Sequence, residues 1–204
     1  MKVFYPPFTD GEVSQREAEI IAFYAYRQRK EHGIAIEIGT FKGATTENIA
    51  ANFLGRVVTV DLPPGLAPKL ESNADNAKYF YAPKVHIHSG RVQQIWCDSA
   101  DLKIMEPVAF AFIDGCHTYE YCKSDFEKVA PHMIPGGVIL LHDYRGGCFP
   151  GVDRAIAELT DKHQECFWSH FLGTSLVLCE FAAPYTGLPI AVDNPQKANA
   201  CLRS

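Results

Sequence analysis

Short apolar runs alternate with helix-like spacing along most of the chain. Strands buried on both faces read as nearly continuous apolar runs, and helices show apolar residues three and four apart. The runs predict strands over 34–38, 57–60, 91–96, 109–113, 138–141, 166–171 and 175–181. The helical spacing predicts helices over 15–31, 44–54, 119–131 and 152–159, with a short helix near 69–79.

This alternation predicts the fold class. Strands that alternate with helices form a parallel sheet with helices on both faces. The last two strands are joined only by Gly173-Thr174, which is too short for a crossover, so the last strand must be antiparallel. We therefore expect a single α/β, Rossmann-like, doubly wound sheet of seven strands, mostly parallel with one antiparallel strand.

The pattern divides the chain into three parts. Residues 1–32 form a lead and an N-terminal helix, opened by a capping box at Ser14–Glu17, that we expect to pack on the domain. Residues 33–181 form the domain, and 204 residues with 47% hydrophobic content suit one core. Residues 182–204 contain three prolines and little periodicity, which predicts an arm or a disordered tail.

The first strand and its helix are joined by a glycine loop, Gly39-Thr40-Phe41-Lys42-Gly43. Glycine permits a sharp turn and the close approach of a ligand, beside the free amides of a helix N-terminus. A dinucleotide loop would read G-x-G-x-x-G, but Phe41 occupies the second glycine position and Glu37 lies just before the turn. An acid here disfavours phosphate and suits a cationic ligand.

Acidic residues follow several other predicted strands. Asp61 is placed to accept both ribose hydroxyls of an adenosine, and Asp98 could accept the amine of adenine. Asp114 and the pair His142-Asp143 follow the next two strands. Because the carboxyl ends of parallel strands meet at one edge, we expect these side chains to line one ligand site.

Charge and cysteine content narrow the partners. The formal charge is -5 and no block of Lys and Arg occurs, so we expect a small-molecule acceptor and no nucleic acid. The seven cysteines are odd in number and form no C-x-x-C, which suggests reduced thiols in a cytoplasmic protein. No apolar run has signal-peptide or membrane-spanning length, so we expect no membrane partner.

The motifs resemble a known family. Glu37 to Gly43 is similar to motif I of class I S-adenosylmethionine (SAM) dependent methyltransferases. Residues 112–120 and 135–144 resemble the F-I-D-G-x-H-x-Y-E and P-G-G-V-I-x-x-H-D-Y patterns of the methyltransferase-24 group, and the likeness covers about 34–181. It departs at Cys116, where a small polar or acidic residue is usual, and over 62–90. The resemblance implies the class I fold and SAM contacts at Glu37, Gly39, Thr40, Gly43, Asp61, Asp98 and Ser99.

Methyl transfer requires an activated acceptor. An alcohol is a poor nucleophile at neutral pH, so either a general base removes its proton or a divalent cation lowers its pKa. Asp114, His142 and Asp143 are predicted ligands for Mg²⁺ or Mn²⁺. The catalytic candidates are Asp114, His117 and His142, either histidine serving as base or third ligand. Metal-dependent catechol-type O-methyltransferases similarly carry acids after these two strands, the second in an Asp-Asn pair, whereas Tyr144 replaces that Asn here.

The favoured function is therefore SAM-dependent methyl transfer to a small molecule, at a hydroxyl oxygen and with metal assistance. Alternatives are a hydroxylase-like enzyme with iron at Asp114, His142 and Asp143, a non-catalytic SAM-fold subunit, and an NAD enzyme. The N-terminal helix and the tail leave a homodimer open. We assign no metal role to His86 and His88.

Overall fold

The structure is a computed structural model that describes residues 1–5, 13–63, 90–145 and 147–182. The helix predicted near 69–79, the two histidines at 86 and 88 and nearly all of the predicted tail lie outside these ranges. Across the described ranges, every helix is too short or too polar to cross a bilayer.

The elements follow the predicted order. The helices are α1 (Gln15–Arg27), α2 (Ala44–Asn52), α3 (Tyr119–Val129) and α4 (Pro150–Lys162). The strands are β1 (Ile34–Ile38), β2 (Val57–Asp61), β3 (Val92–Trp96), β4 (Val108–Ile113), β5 (Met133–Leu141), β6 (Phe167–His170) and β7 (Val177–Glu180).

The strands form one seven-stranded sheet in the order β3-β2-β1-β4-β5-β7-β6. All pairs from β3 to β5 are parallel, and β7 runs antiparallel to both β5 and β6. The strand order reverses between β1 and β4. From β1, strands β2 and β3 lie successively toward one edge of the sheet, and β4 and β5 lie successively toward the other. The predicted fold class is confirmed, including the single antiparallel strand.

Helices cover both faces of the sheet, as buried strands require. Residues of α1 and α2, including Ile21 and Ile49, pack with Phe110 and Leu140 on one face. Residues of α3 and α4, including Phe126, pack with Ile36 on the other. Each central strand is therefore apolar on both sides, which explains its unbroken hydrophobic run.

Several boundaries differ from the prediction, and at two of them residues expected in a turn or a loop belong to a strand or a helix. Pro135-Gly136-Gly137 was expected to be a turn before the strand, yet β5 already begins at Met133. The register to β4 shifts there, with Val108 opposite Met133 and Phe110 opposite Val138, so these residues form an irregularity within the strand. Pro150 and Gly151 were expected in a loop, but they begin α4, because proline at the first helical position needs no backbone donor.

Candidate functional site

The carboxyl ends of five parallel strands meet at one rim of the sheet. The backbone ladder continues just past the strand ends: Gly39 N donates to Val60 O at 2.9 Å, and Asp114 N donates to Ile38 O at 2.8 Å. His142 N likewise donates to Ile113 O at 3.0 Å. These bonds hold the glycine loop and the two acidic loops side by side.

The glycine loop passes very close to the Asp114 loop. Gly39 has φ +97°, and a Cβ placed on it would lie 1.9 Å from Asp114 O. Gly43, with φ +84°, begins α2 as its N-cap. Phe41 also adopts a positive φ of 46°, although it is not glycine. The loop therefore needs glycine at position 39 for space as well as for conformation.

The Asp61 carboxylate closes the glycine loop. Its Oδ2 accepts hydrogen bonds from Thr40 N at 3.1 Å and Phe41 N at 2.8 Å, and its Oδ1 accepts one from Leu62 N at 2.7 Å. A carboxylate offers about four lone-pair positions, so about one on Oδ1 is left for a ligand. A ribose that contacted Asp61 through both hydroxyls would have to share or displace a loop amide.

Glu37 lies beneath the same loop and is fully buried. Its Oε2 accepts hydrogen bonds from Thr46 Oγ1 and, at 2.5 Å, from Thr59 Oγ1, which lies 2.6 Å from Thr40 Oγ1. Its Oε1 is buried and has no hydrogen-bond partner within the described ranges. Burial, with smaller contributions from nearby acids, raises the pKa of Glu37 to about 8 despite the two hydroxyl donors.

Asp98 and Ser99 lie after β3, beside α3. Asp98 Oδ1 accepts from Ala100 N at 2.8 Å and caps a short 3₁₀ turn, while its Oδ2 accepts from the Tyr121 hydroxyl at 2.9 Å. Ser99 is buried. Asp125 of α3 is fully buried nearby, and a Cβ on Gly115 would lie 3.2 Å from its Oδ2. Burial raises the pKa of Asp125 to about 7.

Asp114, His117 and Asp143 form a compact cluster at the rim. Each offers one ligand atom, and these atoms all lie within 4.8 Å of one another. His117 Nε2 is 2.9 Å from Asp143 Oδ2 and 3.6 Å from Asp114 Oδ1. The His117 ring packs on Phe149, with ring centroids 4.1 Å apart. The metal set predicted from the sequence contained His142, whereas this cluster contains His117 in its place.

His142 lies on the inner side of the two acids. Its Nδ1 is 3.2 Å from Asp114 Oδ1 and 3.4 Å from Asp143 Oδ1. Its Nε2 is 3.5 Å from Glu17 Oε2 and makes no hydrogen bond within the described residues. Both ring nitrogens therefore face carboxylates, and the ring is less exposed than that of His117.

The cluster has strongly shifted pKa values. Burial disfavours charge on His117, but Asp114 and Asp143 outweigh it and raise the His117 pKa to about 10. The pKa of His142 is likewise raised well above its usual range, against burial, by Asp114, Asp143 and Glu17. Burial also opposes ionisation of Asp114, yet the two histidines lower its pKa. The raised pKa values of the histidines and the lowered pKa of Asp114 both favour ion pairs between imidazolium and carboxylate.

Several site residues were missed by the sequence reading. Glu17 was interpreted only as part of a capping box, and no site role was assigned to Ser175. The structure places both against the 142–143 segment. Tyr121, which binds Asp98, and Phe149, which packs on His117, carried no sequence signal at all, because their contacts depend on how the loops meet.

The chain is similar to known methyltransferase domains. The family model of a methyltransferase domain, methyltransferase-24, matches residues 36–144, just over half of the chain. A search of curated protein sequences found no significant match.

Solved structures with a similar fold include several methyltransferases. The O-methyltransferase NovP superposes with a TM-score of 0.64 at 14% identity, covering 83% of this chain and 81% of NovP. The O-methyltransferase from Bacillus cereus, in complex with S-adenosylhomocysteine (SAH), gives 0.61 at 20% identity, covering 85% and 84%. MycE methyltransferase from the mycinamycin pathway, in complex with Mg and SAH, gives 0.55 at 16% identity, covering 85% of this chain and 52% of MycE.

At these identities the solved structures establish the fold, and the family-model match establishes the family. The matched segment contains the glycine loop, Asp61, Asp98, the Asp114–His117 segment and the His142-Asp143 pair. The chain therefore belongs to the methyltransferase-24 family of class I SAM-dependent methyltransferases.

Proposed function

We propose that this enzyme transfers the methyl group of SAM to a hydroxyl oxygen of a small molecule, with a divalent cation held by Asp114, His117 and Asp143. The observation that carries the proposal is their compact arrangement at the rim, beside the glycine loop. Two carboxylates and one imidazole form a donor set that Mg²⁺ or Mn²⁺ accepts.

The glycine-loop side of the rim fits a cationic cofactor. Glu37 Oε1 is buried and has no hydrogen-bond partner in the described part of the chain, and Asp61 and Asp114 add negative potential around it. An ammonium group brought near this carboxylate would favour its ionised form and offset the cost of burial. SAM supplies a methyl group on a sulfonium and needs no further activation. The protein must therefore bind, orient and deprotonate the acceptor.

The cluster side fits a cation for an electrostatic reason. The ligand atoms of Asp114 and Asp143 lie within 4.8 Å of each other, and each carboxylate has an imidazole nitrogen within 3.2 Å, so the cluster attracts positive charge. His117, with a pKa of about 10, is a proton donor at neutral pH and a poor base. A bound divalent cation would supply charge neutralisation and a lowered pKa for an acceptor hydroxyl. His117 would then offer Nε2 as a neutral ligand, and Asp114 and Asp143 would provide oxygen ligands.

His142 has a different position in the proposal. Both of its nitrogens face acids, and Nε2 points toward Glu17. The His142 ring is therefore suited to holding the Asp114 and Asp143 carboxylates in position from the inner side of the cluster. His117, at the more exposed side of the cluster, is the histidine placed to meet an acceptor or a cation.

Similar folds support transfer to oxygen. NovP and the Bacillus cereus protein are O-methyltransferases, and MycE was solved with Mg and SAH.

Six cysteines in the described residues are free thiols, which supports a reducing location such as the cytoplasm.

The proposal is tested by incubating the enzyme with SAM carrying a labelled methyl group and a panel of catechols, phenols and sugars. We expect label on an oxygen of one class, loss of transfer with EDTA, and recovery with Mg²⁺ or Mn²⁺. Label on nitrogen, or equal transfer with EDTA after exhaustive dialysis, would refute the metal-assisted O-methylation.

A further inference from the structure

Glu17 is a buried acid that reaches the rim from α1, a helix outside the segment matched by the family model. It is only 6% exposed, although it sits in the first turn of a helix whose N-cap, Ser14, is exposed. Burying a carboxylate is costly unless several donors compensate for lost water. A capping box does not require such burial, so other contacts must account for it.

The hydrogen bonds of Glu17 extend beyond the capping box. Its Oε2 accepts from Ser14 N at 2.8 Å, which is the capping interaction. Its Oε1 accepts from Ser175 N at 2.7 Å and from Ser175 Oγ at 2.9 Å. The second pair of bonds ties α1 to the residue that leads into β7.

Ser175 continues the connection to the cluster of Asp114, His117 and Asp143. Because its hydroxyl donates its only proton to Glu17, the remaining lone pairs face Asp143 N, which donates to Ser175 Oγ at 3.3 Å. Tyr144 N donates to Ser175 O at 3.0 Å. Asp143 has φ +64°, a conformation that a non-glycine residue keeps only where its surroundings fix it.

A second contact reaches His142 directly. Glu17 Oε2 lies 3.5 Å from His142 Nε2, on the side of the ring opposite Asp114. The His142 ring is thus bracketed by an acid from α1 and by the acids of the cluster. One side chain therefore touches both the ring of residue 142 and, through Ser175, the backbone of residue 143.

We propose that Glu17 is a positioning residue of the acceptor site, which holds the Asp143 backbone through Ser175 and the His142 ring by direct contact. That its role serves catalysis rests on the proposed function, because the site it braces is the proposed cation and acceptor site. In this proposal, helix α1 packs on the sheet and also holds residues of the site in position.

The test compares Glu17→Ala and Glu17→Gln with Ser14→Ala as a matched control. Ser14→Ala weakens the same helix cap but leaves the contacts of Glu17 to Ser175 and His142 intact. Glutamine at this position still caps a helix but removes the charge. Amide hydrogen exchange by NMR is measured at Asp143 and Tyr144, with the buried Phe112 amide as a reference for global unfolding.

We expect Asp143 exchange, normalised to Phe112, to accelerate at least about tenfold in Glu17→Ala and to stay within about twofold in Ser14→Ala, because only the first loosens the 142–144 segment. In Glu17→Gln the ring signals of His142 in a long-range ¹H–¹⁵N spectrum should move or broaden more than those of His117. If Glu17→Ala does not fold, Glu17→Gln and Ser175→Ala carry the same comparison.

Equal normalised exchange at Asp143 in the Glu17 and Ser14 variants, with unchanged His142 ring signals, would overturn the proposal and leave Glu17 a capping residue. Neither readout needs a metal or an acceptor. A failure of cation binding would therefore refute the proposed function without touching this result.

Discussion

At the residue scale, the structure of the rim depends on a glycine that leaves space and on acids that accept hydrogen bonds. Gly39 makes room for the Asp114 carbonyl, and Asp61 gathers the amides of the loop that follows Gly39. Glu37 lies below them, held through Thr59. Gly39 thus links the loop predicted to bind SAM to the Asp114 loop, which is proposed to bind the cation.

Replacing Gly39 should damage both sides together. Gly39→Ala would force Cβ to within 1.9 Å of Asp114 O, at a φ that disfavours any side chain. We expect a loss of at least about 2 kcal/mol in the free energy of unfolding, with much weaker SAM binding. Urea denaturation and calorimetry measure both effects. Gly90→Ala is the control, because a Cβ at Gly90 meets no atom of the described residues within 4 Å. Equal stability of the two variants would contradict the prediction.

Asp61→Ala should weaken SAM for two reasons. It removes the acceptor predicted to bind the ribose, and it removes the acceptor of the Thr40 and Phe41 amides that holds the loop closed. A hydrogen bond to a charged group contributes about 1.5–3 kcal/mol, so we predict a roughly ten- to hundred-fold loss of affinity. Titration of SAM by calorimetry measures it, with the exposed Asp161→Ala as the control. Unchanged affinity would remove Asp61 from the cofactor site.

The sequence predicted which residues reach the rim better than it predicted how they pair there. Each acid follows a strand, and strand ends of a parallel sheet share an edge, so Asp61, Asp98, Asp114 and Asp143 could be placed from the pattern alone. The choice between His117 and His142 could not, because it depends on side-chain direction past the strand end, where Asp143 turns with φ +64°. Local spacing carries no information on that turn.

At the element scale, the strands were predicted within about one to five residues because parallel strands need apolar side chains on both faces. The largest error is the start of β5, where proline and glycine suggested a turn and the sheet instead absorbs an irregularity. Helix α1 shows a second feature that the sequence could not predict. Its capping box was visible in the sequence, but the contact of Glu17 with Ser175 joins residues 158 positions apart.

Helix α3 carries a buried acid whose ionisation should make stability depend on pH. Burial raises the pKa of Asp125 from 3.8 to about 7, so between these pH values the folded state holds a proton that the unfolded state has lost. The contribution of Asp125 to the free energy of unfolding must therefore fall as pH rises through this window.

Asp125→Asn removes this dependence. We predict that the stability of the variant relative to the wild type increases from pH 4 to pH 7 and then levels off, because the contribution of Asp125 to wild-type stability falls over this range. Urea denaturation at several pH values measures the difference. A difference that is flat with pH, or that falls, would contradict a raised pKa at this position.

At the scale of the whole molecule, the seven-stranded sheet brings the loops that follow its five parallel strands to one rim. This rim has two halves. The glycine loop, Asp61 and Asp98 form the half predicted to bind SAM, and Asp114, His117 and Asp143 form the half proposed to prepare the acceptor. Membership of the methyltransferase-24 family supports SAM as the cofactor. The acceptor and the homodimer stay predictions.

The most direct measurement is a calorimetric titration of Mn²⁺ into SAM-saturated protein, for the wild type and for Asp114→Ala, His117→Ala, Asp143→Ala and His142→Gln. We predict stoichiometric binding in the wild type, its loss in the first three variants, and its retention in His142→Gln, because the cluster contains His117 and not His142. Absence of binding in the wild type would contradict the metal-assisted mechanism. Binding that required His142 and tolerated His117→Ala would show that the cation site is built from the other histidine.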